Sequence, residues 1–206
     1  MSPLPPLRSG IADYTHELLA PLEAHFEVVT YAPRDASRAI AGPHAAVLFQ
    51  LGNDPLHEPS VAALAKKRTM PAVVVLHDFV LHHLFAAAYL DTGRTAEYVA
   101  ALEKAHGERG RALGERNVYG PRLPVWDLDP WAFPLSRGVL LDADAVLVHS
   151  RLVRGAVLRA RPGLFCVEVP HHVVPAPETP KPEARERLGI PRDRFVVATL
   201  GVVTPA

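Results

Sequence analysis

A chain of 206 residues, 49% of them hydrophobic, is long enough to bury one sizeable core and to begin a second domain. Its 22 basic and 22 acidic residues cancel, which excludes a bulk field drawing it to nucleic acid or an anionic membrane. Its one cysteine, Cys166, excludes an internal disulfide. No apolar run reaches the ~18–20 residues of a spanning helix, and the opening MSPLPPLRSG lacks the charged-then-apolar pattern of a signal peptide. The expectation is a cytoplasmic chain, with membrane association not indicated.

In chain order, residues 1–9 are Pro-rich and cannot form a central strand. Ile11, Tyr14, Leu18 and Leu22 recur at helical spacing, so residues 11–24 are predicted as a helix started by Ser9 or Gly10. Strands are predicted at 26–31 (FEVVTY), 45–51 (AAVLFQL), 73–77 (VVVLH), 145–149 (AVLVH), 165–169 and 195–200 (FVVATL). Helices are predicted at 58–67, 79–90, 96 to about 116, 135–141, 150–159 and 181–188. Residues 117–134, with four prolines and both tryptophans, read as a structured loop, and 170–182 as a Pro-rich linker. Strands alternating with helices, most of the strands apolar on both faces, define a doubly wound α/β domain with a parallel Rossmann-like sheet and helices on both faces. Ligands of such sheets sit at the carboxyl ends of the strands. A loop-and-helix opening of this kind normally follows a first strand, so the first strand is expected to be missing. The domain boundary falls between residues 1–175 and 176–206, the latter a linker and the start of a second domain.

Four groups carry candidate chemistry. Arg8, Ser9 and Gly10 open the first helix, where backbone N–H groups bind anions and glycine admits a phosphate; a loop with a helix cap is the simpler alternative. His77 and Asp78 follow the most apolar strand; the histidine can donate a hydrogen bond or move a proton, and the aspartate can accept one or cap the next helix. Gln50, Asn53, Asp54 and His57 end the strand before it and suit sugar hydroxyls, an Asx-turn being the alternative. Histidines also pair at His82-His83 and His171-His172, but neighbours on a helix point about 100° apart, and there is no HExxH or cysteine pair, so no metal site is expected.

Taken in order, PPLRSGIADYTHELLAPL, FQLGNDPLH, VVVLHDFVLHHL, ADAVLVHSRLVRGAVLR, VEVPHHVVP and ERLGIPRDRFVVATLGVVTPA resemble segments of the family 4 glycosyltransferases. That resemblance spans nearly the whole chain. It implies the N-terminal domain of a GT-B fold, two Rossmann-like domains facing across a cleft. The activity implied is retaining transfer from a nucleotide-sugar donor to a carbohydrate, lipid-linked or small-molecule acceptor, with no cofactor and no metal. By position, Ser9 and Gly10 approach the donor diphosphate, His77 is the cleft histidine at the donor sugar, and Asn53, His57, Asp78 and His82 contact the acceptor. No protein nucleophile is implied. The family's basic pair and the Glu-x7-Glu motif of its second domain are expected to lie beyond Ala206, and His171-His172 stand where members often have Gly and a small apolar residue. A chain with these features is expected to be inactive alone. Two other classes fit the same pattern: a non-catalytic sugar- or phosphate-binding module, and a GT-B sugar-nucleotide epimerase.

Overall fold

The computed structural model describes residues 1–67, 69–173, 175 and 178–198. They fall into two compact units, 1–170 and 171–206. The first unit is α/β. Strands β1 (Val47–Leu51), β2 (Ala72–Leu76), β3 (Ala145–Val148) and β4 (Phe165–Glu168) form one all-parallel sheet in sequence order. Helices α1 (Gly10–Glu23), α2 (Ala36–Ala41), α3 (Glu58–Lys66), α4 (His82–Phe85), α5 (Thr95–His106), α6 (Glu108–Tyr119), α7 (Val125–Leu128), α8 (Ser136–Asp142) and α9 (Arg151–Ala160) flank it. This is compatible with a Rossmann-like fold. In the second unit the described regular element is α10 (Lys181–Arg187). No helix among the described residues is long and apolar enough to cross a membrane.

The core follows from strand composition. Val74, Val75 and Leu76 of β2 and Phe49 and Leu51 of β1 are buried, as expected where helices shield a parallel sheet. Asp144 ties β2 to β3 at their starts, its Oδ2 accepting from the Ala72 amide (2.7 Å) and the Lys67 ammonium (2.8 Å).

Several predicted elements need correction. Residues 26–31 are not a ladder strand: Tyr31 accepts one bond, from the Ser2 amide at 3.0 Å, and Pro3, Pro5 and Pro6 have no N–H with which to continue it. The helix predicted at 79–90 starts at His82 and ends in a π turn over Ala86–Leu90. Val80 instead bridges Leu135, and the Leu81 amide bonds to the Pro134 carbonyl (2.7 Å). The long helix predicted from 96 is broken at Gly107, whose φ of +63° returns α6 along α5. In the predicted last strand, residues 195–198 carry no regular structure and 199–200 lie outside the described residues.

Beside β1, Met1 occupies the place of a further strand. Its ammonium donates to the Leu48 carbonyl (2.5 Å), and the Gln50 amide donates to the Met1 carbonyl (2.9 Å), the two bonds of a parallel register with Phe49. Burial pushes that amine down from 8.0 to about 6. The neutral form is therefore favoured on folding, and its stabilisation is full above pH 8 and lost as pH falls toward 6. A free-amine chain is expected to lose about 2 kcal/mol relative to an N-acetylated chain between pH 8.5 and 5.5. Paired urea titrations at the two pH values check this, and parallel losses in both chains would refute it.

Candidate functional site

The carboxyl edge of the sheet gathers the chemistry. Leu76 of β2 pairs with Val148 of β3, so the next residues, His77 and His149, emerge side by side. Neighbouring strands lie about 4.8 Å apart, and the two imidazole centroids are 5.0 Å apart. Tyr14, one turn into α1, packs edge-on against both rings, at 4.9 Å from His77 and 5.3 Å from His149. Gln50, buried in β1, places Oε1 2.7 Å from Nε2 of His77. His149 Nδ1 lies 2.8 Å from the Val169 carbonyl oxygen. Each ring is thus held by an oxygen acceptor that orients it and selects its tautomer. Burial pushes the Tyr14 phenol above its ordinary value, so it remains a neutral hydroxyl at pH 7.

Gly52 explains how α1 reaches this edge. It follows Leu51 as His77 follows Leu76, and a Cβ built on it would lie 2.4 Å from Cδ1 of Ile11. The missing side chain lets the first turn of α1 settle on the end of β1. Ser9 is the N-cap residue by its extended backbone, with its carbonyl accepting from Ala12 (2.9 Å) and Asp13 (3.1 Å) and no hydrogen bond from its side chain to the helix. Gly10 is exposed, with open space where a Cβ would stand.

The loop after β1 is braced by the residues assigned to an acceptor. Asn53 donates its amide to Asp78 Oδ2 (2.9 Å) and accepts from the Leu84 amide at its Oδ1 (3.0 Å), which joins the ends of β1 and β2 to α4. Asp78 therefore caps the neighbouring loop rather than the helix after it. Asp54 accepts from the Leu56 amide (2.9 Å), the Asx-turn foreseen as the structural alternative. His57 is fully buried, and burial lowers its pKa against the opposing pull of Asp54, the Gln50 backbone and Asp78.

His82 does not join this edge, which corrects its assignment as an acceptor contact. It is fully buried, with Nδ1 2.8 Å from the Phe133 carbonyl oxygen and Nε2 2.8 Å from the Tyr98 hydroxyl. Asn117 Nδ2 donates to the same hydroxyl (3.2 Å). Burial pushes His82 down to about 4, so it stays neutral within a core network. The edge includes two residues not singled out in the sequence, Tyr14 and His149. The signal for His149 was present, since AVLVH repeats VVVLH, an apolar strand ending on histidine.

Comparison with protein-family models, curated proteins and solved structures gives no match.

Proposed function

We propose that this chain is the acceptor-side domain of a retaining glycosyltransferase of the GT-B kind, which takes a sugar from a nucleotide-sugar donor. The observation that carries the reading is the convergence at one sheet edge. The first turn of α1 packs on the end of β1 at Gly52, and its Tyr14 packs on His77, whose ring Gln50 holds. Open α/β sheets bind ligands at such edges, and an exposed helix start suits a diphosphate. His77 faces the donor sugar, its ring held in place by Gln50. Asp78, exposed beside it, accepts from an acceptor hydroxyl, and Asn53 holds that carboxylate in place.

The purified chain alone is expected to release no nucleoside diphosphate from UDP-, GDP- or ADP-hexoses. A panel of sugar acceptors is expected to shift the amide NMR signals of Gln50, Asn53, His77 and Asp78. Turnover by the isolated chain would overturn the half-enzyme reading. Shifts confined to other surfaces would overturn the site.

A further inference from the structure

The chain leaving the sheet edge carries an arrangement of two aromatic rings. Phe79 comes directly after Asp78, three residues past the end of β2, and its ring is buried. Trp131 stacks on it, with centroids 5.2 Å apart and an interplanar angle of 22°, and keeps 50% of its own surface exposed. The local sequence sets this up. In Asp129-Pro130-Trp131-Ala132 the Ala132 amide donates to the Asp129 carbonyl (3.1 Å), a β-turn with aspartate first and proline second, the residues such turns favour there. The loop is then clamped to the segment that holds Phe79. Val80 bridges Leu135, and the Leu81 amide donates to the Pro134 carbonyl (2.7 Å). Leu135 has a φ of +60°, strained backbone of the sort that persists where its surroundings fix it and that clusters at ligand sites. Trp126 and Phe133 anchor the same loop on the hydrophobic core, so its hold does not depend on Trp131.

We propose that Trp131, backed by Phe79, is a stacking platform for the ring face of a pyranose. The face of an aromatic ring is electron-rich. It attracts the C–H bonds that one side of a pyranose presents, while the sugar hydroxyls at the rim stay free to hydrogen-bond. Covering the ring also removes its remaining apolar surface from water. Phe79 makes the platform rigid before a sugar arrives, because the indole rests on a buried ring. Asp127 and Asp129 are exposed carboxylates on the same loop, acceptors for hydroxyl groups and unfavourable to a phosphate or a nucleotide. The platform itself does not depend on sugar transfer. Its assignment to the acceptor rests on the sheet-edge reading: Phe79 and Asp78 have Cα atoms ~3.8 Å apart, so a sugar on Trp131 lies beside the carboxylate proposed to meet the acceptor. The acceptor class is then carbohydrate rather than lipid.

The two tryptophans give two indole N–H signals in the isotope-labelled chain, and Trp131→Phe identifies which is which. The probes are methyl pyranosides of glucose, galactose and mannose. D-glucitol serves as an open-chain polyol with no ring face, and hexyl phosphate and uridine monophosphate serve as other occupants. The Trp131 indole is expected to shift with at least one pyranoside and not with glucitol, and the Trp126 indole to stay in place throughout. By saturation transfer to the sugar, Trp131→Ala is expected to weaken that pyranoside roughly tenfold. Trp131→Phe, which restores a ring, is expected to recover most of the affinity. Amide signals of β1–β4 report whether the variants fold, and the titration of the unaltered chain decides the matter where one does not. No response of Trp131 to any pyranoside, an equal response to glucitol, or a larger response to hexyl phosphate or uridine monophosphate would overturn the platform. Shifts at Gln50, Asn53, His77 and Asp78 without Trp131 would overturn the platform and leave the edge site standing. A Trp131 response without them would uphold the platform and remove the edge site.

Discussion

Replacing His77 with alanine, in an enzyme that also carries the donor-binding domain, is expected to cut kcat by ~10²–10⁴-fold while nucleotide affinity stays near normal. The range is that of a positioned group acting on a reacting centre in the transition state. Its magnitude follows from preorganisation: Gln50 at 2.7 Å and Tyr14 at 4.9 Å fix the ring before substrate arrives. On the proposed reading, alanine would remove a contact to the sugar and leave the exposed start of α1 unchanged, so a diphosphate would keep its backbone donors. The measurement is the separation of kcat from the affinity for the nucleoside diphosphate. Near-normal turnover would make His77 a structural residue, and an equal loss in both would make it a uniform binding contact.

Gly110→Ala is expected to be the most damaging small substitution in the helical layer, with a net loss of about 1–2 kcal/mol. A Cβ at this position in α6 would lie 2.1 Å from the Leu102 carbonyl oxygen and 2.9 Å from Cβ of His106, both in α5. Backbone cannot rotate away as a side-chain tip can, so the two helices must separate. Tyr98, Leu102 and Leu113 are buried in these helices and would lose packing. Overpacking costs ~1–3 kcal/mol and sometimes more, and the better helix propensity of alanine returns only about 1 kcal/mol. Gly155→Ala in α9 is the control, because the nearest atom to its Cβ is the flexible end of Arg159 at 3.3 Å. It should stabilise slightly. Urea midpoints that move alike for both substitutions would refute the argument.

The alternation of apolar runs with helical periodicity made the parallel sheet legible, because VLFQL, AVVVL and AVLV each carry their burial in their own composition. What composition cannot encode is a partner distant in the chain. Residues 79–81 read as helical until Leu135 and Pro134, more than fifty residues on, claim their backbone. FEVVTY has strand propensity, but a strand is defined by its neighbour, and the proline-rich start offers a single bond. Gly107 hid inside a helical pattern that tolerates glycine, and only its positive φ reveals the reversal. His82 and His83 were indistinguishable as letters; one is buried against Tyr98 and Phe133, the other is exposed. His77 was legible because it ends the most apolar strand. His149 ends the next strand in the same way, and registry alone makes the two a pair.

That registry also bears on how the chain reaches its native state. The strand joins span 25 residues (Val47↔Ala72), 72 residues (Val73↔Ala145) and 20 residues (Ala145↔Phe165). By loop length alone, closing the middle join costs about 1 kcal/mol more conformational entropy than either outer one. The sheet is thus two short-range halves sewn along one long-range seam, and the paired imidazoles sit at the end of that seam. A slip of one residue along it would turn one ring to the opposite face of the sheet. The juxtaposition of His77 and His149 is therefore a property of the finished topology, with no counterpart in either half alone.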